Sequence, residues 1–344
     1  MAYTTINKST DYFNTKLYTG TGSSNAVTGV GFQPDWTWIK SRSDAQSNNI
    51  FDAVRGQGKV IFTDANSAQA TVTDRLTAFN SDGFTVVSDN SVNGSSKTYA
   101  AWNWKAGTGQ GSSNTDGSIN TIYTSVNTAA GFSISRFDGN GTSGATIGHG
   151  LGSTPAMIIV KNLDSTEHWT VRHKDVTAGW NLYLNLTNTQ DDNSTVFTTT
   201  APTSSVFSVG DNARTNASGA AYVAYCFAEK TGYSKFGKYQ GTSSTDGAFI
   251  YTGFKPTFFM AKCIDNAESW YIFDNKREGY NVENRDLYAD NSGTEGSADW
   301  LDILSNGIKF RYNSIGLNGS SNNYIYMAFG QSLVGSNNVP CTAR

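Results

Sequence analysis

The chain has 344 residues, of which 38% are hydrophobic and 13% aromatic, enough for sizeable cores without covalent staples. Only 15% are charged and the net charge is -3, so the surface is mostly Ser, Thr, Asn and Gly. The missing Lys/Arg stripe argues against binding of nucleic acid by phosphate neutralisation. No apolar run reaches the roughly 18 residues of a membrane-spanning helix, so no membrane insertion is expected. The three cysteines (Cys226, Cys263 and Cys341) are too few and too widely spaced for a disulfide framework or a zinc site.

In chain order, residues 1–12 form an N-terminal segment without the apolar core of a signal peptide. Residues 13–106 follow as a first β unit. It opens on FNTKLYTGTG from Phe13, continues through GFQPDWTWIK (Gly31 to Lys40) and IFDAVRG from Ile50, and closes on YAAWNW (Tyr99 to Trp104). Residues 107–130 read as a flexible Gly/Ser linker, GTGQGSSNTDGS, followed by an extended piece, INTIYTSVNT. The same phrases then return in residues 131–231, as FSISRFDGNG, STPAMIIVK, HWTVRHKD and YVAYCF. They return again in residues 232–331, as YSKFGKYQGT, GFKPTFFMAK, WYIFDNKREG and YIYMAF. Residues 332–344 remain as a C-terminal tail. The spacings Pro34 to Tyr99, Pro155 to Tyr222 and Pro256 to Tyr324 are 65, 67 and 68 residues. The chain therefore reads as three diverged copies of one small β unit.

Within each copy the apolar runs are short, β-branched or aromatic, and bounded by Gly, Asn, Asp and Ser. NSDG precedes FTVVS and LSNG precedes IKFRY, pairs that supply the positive φ of tight turns. Roughly seven strands per copy are expected, with a helical turn or two at TVTDRLTAF (Thr71 to Phe79) and SADWLDIL (Ser297 to Leu304). The prediction is an all-β chain of three tandem β-sandwich, jelly-roll-like domains. In the thrice-written phrase, alternate residues share a face. Ala100, Trp102 and Trp104, then Val223, Tyr225 and Phe227, then Ile325, Met327 and Phe329 are predicted to be the core face of each sandwich. Trp36 and Trp38 are expected in the same core.

No catalytic, cofactor or metal residues are expected. His168 and His173 are poorly spaced for a metal, and no GxSxG motif supports a nucleophile. The carboxylates Asp265, Glu268, Asp274 and Glu278 have counterparts in the other copies (Asp44, Asp52, Asp164, Glu167 and Asp175), which points to scaffolding rather than a glycosidase pair. Asn93, Asn216 and Asn318 each precede the repeated Tyr by six residues in Asn-x-Ser sequons. We read them as turn residues whose side chains bond nearby backbone. Trp169, Trp180, Trp270 and Trp300 lie in the variable parts and are the candidate glycan-contact aromatics.

The set DYFNTKLYTGTG, GVGFQPDWTWIKSR, WNWKAG, GFSISRFDGNGTSGATIGHGLG, YCFAEKTGYSKFGKYQGTSSTDGAFIYTGFKP, SNGIKFR and LVGSNNVPCTAR resembles a repeated domain of unknown function. That domain occurs in structural proteins of marine tailed bacteriophages, notably cyanophages and pelagiphages. The chain departs from the family pattern at Phe329 to Gln331, where an acidic residue is expected after Phe-Ala. The resemblance implies a non-enzymatic virion protein, a fibre or spike that is assembled in host cytoplasm and displayed on the particle. It would be a homo-oligomer, often a trimer, attached to capsid or tail proteins through residues 1–10 or the tail after Gln331, and binding a host-surface glycan or receptor. The alternative is a head or tail decoration protein with a purely architectural role.

Overall fold

The computed structural model describes residues 4–332 and residue 334. The fold is all-β. The first repeat runs β1 (Phe13–Thr19), β2 (Asn25–Thr28), β3 (Trp36–Ser41), β4 (Asn49–Asp52), β5 (Lys59–Phe62), β6 (Ala70–Thr71), β7 (Leu76–Asn80), β8 (Gly83–Val86) and β9 (Thr98–Trp104). The second runs β10 (Thr121–Asn127), β11 (Phe132–Asp138), β12 (Thr146–Gly148), β13 (Met157–Asn162), β14 (Thr170–His173), β15 (Trp180–Tyr183), β16 (Asp191–Asp192), β17 (Val206–Ser208) and β18 (Ala221–Phe227). The third runs β19 (Ser234–Gln240), β20 (Phe249–Tyr251), β21 (Phe254–Cys263), β22 (Trp270–Asp274), β23 (Leu287–Tyr288), β24 (Leu301–Leu304), β25 (Gly307–Phe310) and β26 (Asn323–Ser332). The segments expected as helical turns are short strands instead. Two-residue turns at Ser81-Asp82 and Ser305-Asn306 fold them into the hairpins β7–β8 and β24–β25, with Gly83 and Gly307 as the first strand residues after the turn and no positive φ at Asn306 or Gly307.

Each repeat contributes one large antiparallel sheet, in the orders β1-β9-β3-β4-β5-β6, β10-β11-β18-β13-β14-β15-β16 and β19-β26-β21-β22-β23. A small sheet covers the outer face of each: β2-β8-β7, β12-β17 and β20-β25-β24. The thrice-written phrase is the strand β9, β18 or β26, placed between β1 and β3, β11 and β13, and β19 and β21 respectively. Its outward residues fill the repeat's own sandwich: Tyr99 and Ala101 in the first, Tyr222, Ala224 and Cys226 in the second, Tyr326 and Ala328 in the third.

The face predicted as each repeat's private core packs elsewhere. Trp102, Trp104, Tyr225, Phe227, Met327 and Phe329 meet in one cluster about a shared axis, together with Trp36, Trp38 and Phe258. Trp36 stacks on Tyr225 at 4.8 Å, and Phe13 on Phe329 at 5.6 Å. The central strands are thus buried on both faces, and the three repeats enclose one common interior. Burial of each such ring stabilises by about 1.5–3 kcal/mol.

Polar links close the ring of repeats. Register places Asn48, Trp169 and Trp270 in equivalent positions, just before or at the start of β4, β14 and β22. Trp169 Nε1 donates to Phe62 O (2.7 Å), Trp270 Nε1 to Tyr183 O (2.8 Å) and Asn48 Nδ2 to Tyr288 O (3.1 Å). Each acceptor belongs to the neighbouring repeat, and the last bond returns to the third. The lysines that end the Pro-containing phrases repeat the arrangement four residues further on. Lys161 Nζ donates to Asn66 O, Lys262 Nζ to Thr187 O and Lys40 Nζ to Ser292 O. Burial pushes all three lysines down to about 8.

The Gly/Ser stretch after the first repeat is a bonded strap rather than a free linker. The Asp35 carboxylate accepts the N–H groups of Ala106, Thr108 and Gly109 at 2.8, 3.0 and 2.8 Å. Ile119 then bridges to Ile147 at the edge of β12. The extended piece beyond it is β10, paired with β11. The proposed docking segments lie partly outside the described residues, as does Cys341, while Cys226 and Cys263 are buried free thiols.

Candidate functional site

Three of the four candidate glycan-contact tryptophans, Trp169, Trp270 and Trp300, do not offer ring faces to solvent. Trp169 and Trp270 are sealed in the common interior as the donors described above. Trp300 lies in the third sandwich, donating to Asp286 Oδ1 at 2.7 Å and packed edge-on by Tyr271 and Tyr312. Trp180 is half-buried against the common interior. The reason is common to Trp169 and Trp270: bridging two repeats needs a long apolar body with one donor at its tip, and an indole supplies both.

Two of the carboxylates, Asp52 and Asp274, sit in buried ion pairs. Asp52 takes Arg55 Nε at 2.5 Å and Tyr225 Oη at 2.7 Å. Asp274 takes Arg277 Nε at 2.7 Å and Trp102 Nε1 at 2.9 Å. Both pairs are fully buried, and Arg277 holds the Asp274 carboxyl below the usual range against the opposing effect of burial. In each case a donor on one repeat's central strand reaches the carboxylate of another repeat. The third equivalent pair has changed on both sides. Met327 has no donor, and His173 stands where the carboxylate would be. His173 Nδ1 accepts the Asp175 N–H, which leaves Nε2–H to donate to Tyr326 O at 3.2 Å. Burial pushes His173 down to about 3, so the ring is neutral.

Asn93, Asn216 and Asn318 are fully buried, and Asn93 and Asn318 end short helices (Asn90–Asn93 and Ile315–Asn318) rather than sitting in turns. Asn216 Oδ1 accepts Asn140 N–H (2.8 Å) while its Nδ2 donates to Gly210 O (2.8 Å) and Thr142 O (2.9 Å). Asn318 repeats this set with Thr242, Tyr312 and Ser244, and Asn93 with Thr21, Val87 and Ser23. Beside these asparagines, a Cβ at Gly20, Gly139 or Gly241 would stand 2.2, 2.4 or 2.2 Å from a carbonyl oxygen, so only glycine fits.

What breaks the threefold pattern is on the outside of the third repeat. β20 reads Phe249-Ile250-Tyr251: Ile250 points into the third sandwich, and Phe249 and Tyr251 are 47% and 52% exposed on the opposite face. Register aligns them with Ala26 and Thr28 in β2 and with Thr146 and Gly148 in β12, so the aromatic pair occurs in one repeat alone. The Phe249 ring lies over Gly307, where a Cβ would come within 2.8 Å of it. Lys235 Nζ sits 5.3 Å from the Tyr251 ring centroid and donates to Tyr251 O at 2.8 Å. Nearby, Lys309 pairs with the exposed Asp246 at 2.8 Å and holds its carboxyl below the ordinary value. Two exposed rings on one strand face, fringed by ammonium and carboxylate groups, can stack on the apolar face of a sugar or peptide and bond its polar groups. β20 is also an edge strand.

These residues were not singled out in the sequence, though the departure from Ala26/Thr28 and Thr146/Gly148 was there to find once register was known. Among the described residues no group of three or more His, Cys, Asp or Glu could hold a metal, and no helix is long and apolar enough to cross a membrane. A family profile described as Domain of unknown function (DUF7483) matches residues 8–332. No curated protein and no solved structure matches the chain.

Proposed function

The chain belongs to the DUF7483 family over nearly its whole length, and we propose, from the resemblance described above and from the exposed residues of the third repeat, that it is a non-enzymatic attachment module. It is a surface appendage of a bacteriophage virion, assembled in host cytoplasm, that holds a host-surface glycan against Phe249 and Tyr251. The observation that carries this reading is the exposed aromatic pair, present in one repeat where the aligned positions of the others carry Ala, Thr or Gly. A weakly charged Ser/Thr/Asn surface fits the same role, as does the sealing of Asp52 and Asp274 against arginines, which removes them from acid–base work. The test adds purified protein, parent or the Phe249→Ala/Tyr251→Ala double variant, to host cells before the phage and counts free phage. Slowed adsorption with the parent and none with the variant supports the reading. No slowing by a folded parent sinks it.

A second reading, an architectural decoration protein, is favoured by the open edge of β20. The equivalent edge strand of the second repeat, β12, is covered by Ile119 of the strap. An added strand from a neighbouring capsid or tail subunit, or from a second copy in a homo-oligomer, would cover β20 likewise. Unchanged adsorption together with retention of the protein on purified particles would favour this reading.

A further inference from the structure

A second break in the pattern lies in the middle repeat. The position before Asp52 is Phe51 and the position before Asp274 is Phe273. Both rings are fully buried and fill their own sandwiches. The aligned residue of the middle repeat is Arg172, which pairs with Ile158 of β13 as Phe51 pairs with Thr37 and Phe273 with Phe259. It is only 9% exposed. Among the described residues its one side-chain hydrogen bond runs from Nη1 to Thr198 O at 3.0 Å. No carboxylate of the described residues comes within ion-pair distance of it: the nearby Lys174 takes Glu229, and Asp175 faces His173.

The chain around it has changed to match. In the first and third repeats a tight hairpin supplies the third strand of the small sheet. In the middle repeat that strand is missing, and the stretch around Thr198–Pro202 replaces it as a loop. Below the loop is a cavity of about 260 Å³, lined by Arg172 with Pro155, Ile158, Val176, Ala201 and Pro202. A largely buried guanidinium without a counter-charge is costly, and folding alone is served by the phenylalanine that the other repeats carry. Arg172 lines the cavity with a single side-chain bond engaged, and a guanidinium is a planar fork that receives a carboxylate in two parallel bonds.

We propose that this cavity binds a carboxylate-bearing ligand, its anionic group on Arg172 and its body against the Pro155, Ile158 and Pro202 walls. The chemistry is shared by a free aliphatic acid and by the acidic sugar of a polysaccharide. Calorimetric titration of the full chain with butyrate and with glucuronate separates the two sources, with glucose as the uncharged control. Binding of either acid but not glucose is expected, with Arg172→Phe weakening it roughly tenfold to a hundredfold, the worth of a charge-assisted pair. Arg172→Phe is also expected to melt higher than the parent, because it restores the apolar core of the other repeats. Arg172→Gln, which keeps a polar side chain, serves should the phenylalanine variant misfold. The proposal is overturned if neither acid binds, if both variants bind like the parent, or if glucose binds as well as glucuronate.

Discussion

Phe227 is the most direct test of a shared interior. Its ring meets Trp36 at 5.8 Å, Phe132 at 4.8 Å, Phe236 at 6.1 Å and Phe329 at 6.0 Å. Only Phe132 belongs to its own repeat. Phe227→Ala removes a fully buried ring, which costs about 3–5 kcal/mol in a core that relaxes little. The lost ring pairs put this site in the upper part of that range. Against a total stability of about 5–15 kcal/mol, the substitution removes a third or more. The assay is urea unfolding followed by tryptophan fluorescence, with amide hydrogen exchange below the transition. A single transition at a lower midpoint is expected. Amides of β3 and β9 and of β21 and β26 should lose protection together with those of β11 and β18. Loss of protection confined to residues 131–231 would refute the shared interior and restore three separately stable sandwiches.

The three buried lysines predict an unusual pH profile. Their folded pKa of about 8 lies below the ordinary value, so between about pH 8 and 10 the unfolded chain binds more protons and stability rises with pH. The slope approaches about 1.4 kcal/mol per pH unit for each lysine, and Lys262→Met should reduce it. A urea midpoint that is flat or falling from pH 8 to 9.5 would refute this. Above about pH 10 the sign reverses, because buried tyrosines such as Tyr225 and Tyr233 have raised pKa values and ionise first in the unfolded chain. His173→Asp should cost about 3–5 kcal/mol, because Val176 stands where Arg55 and Arg277 neutralise the equivalent carboxylates. Adding Val176→Arg should recover much of that loss in a double-mutant cycle, and additive losses would count against the equivalence. Asn216→Ala orphans Asn140 N–H, Gly210 O and Thr142 O, and should lower stability by about 1–3 kcal/mol in a denaturant titration.

The repeats and the all-β class were legible because they depend on spacing and local chemistry, whereas the asparagines were legible only as backbone-bonding residues, since most of their partners lie 70 or more positions away. The shared interior was not, although its sign was present. Tyr222, Ala224 and Cys226 are as apolar as Val223, Tyr225 and Phe227, and a strand apolar on both faces is buried on both. A strand alternation rule applied to one face alone misses this. The tryptophans misled for a different reason. Trp169 sits among His and charged residues, and its acceptor, the Phe62 carbonyl, is 107 positions away. No local pattern announces a partner at that distance. Phe249, Tyr251 and Arg172 become visible only after register has aligned strands whose residues have little in common.

The circuit of links through Asn48, Trp169 and Trp270 sets a limit on copy number. Each repeat gives one such bond and receives one, and after three the account is closed. An open solenoid lengthens by adding units at either end and needs special end pieces. This ring has no free end to lengthen, and Gln331 ties the far side of the third repeat back to Ser9 and Asn7. A fourth copy would find every seat taken. One copy alone would expose Trp36, Trp102 and Trp104 to water and could hide them only by meeting two others. In a single polypeptide those meetings are intramolecular, so dilution cannot undo them. Three separate chains with the same contacts would come apart as their concentration fell.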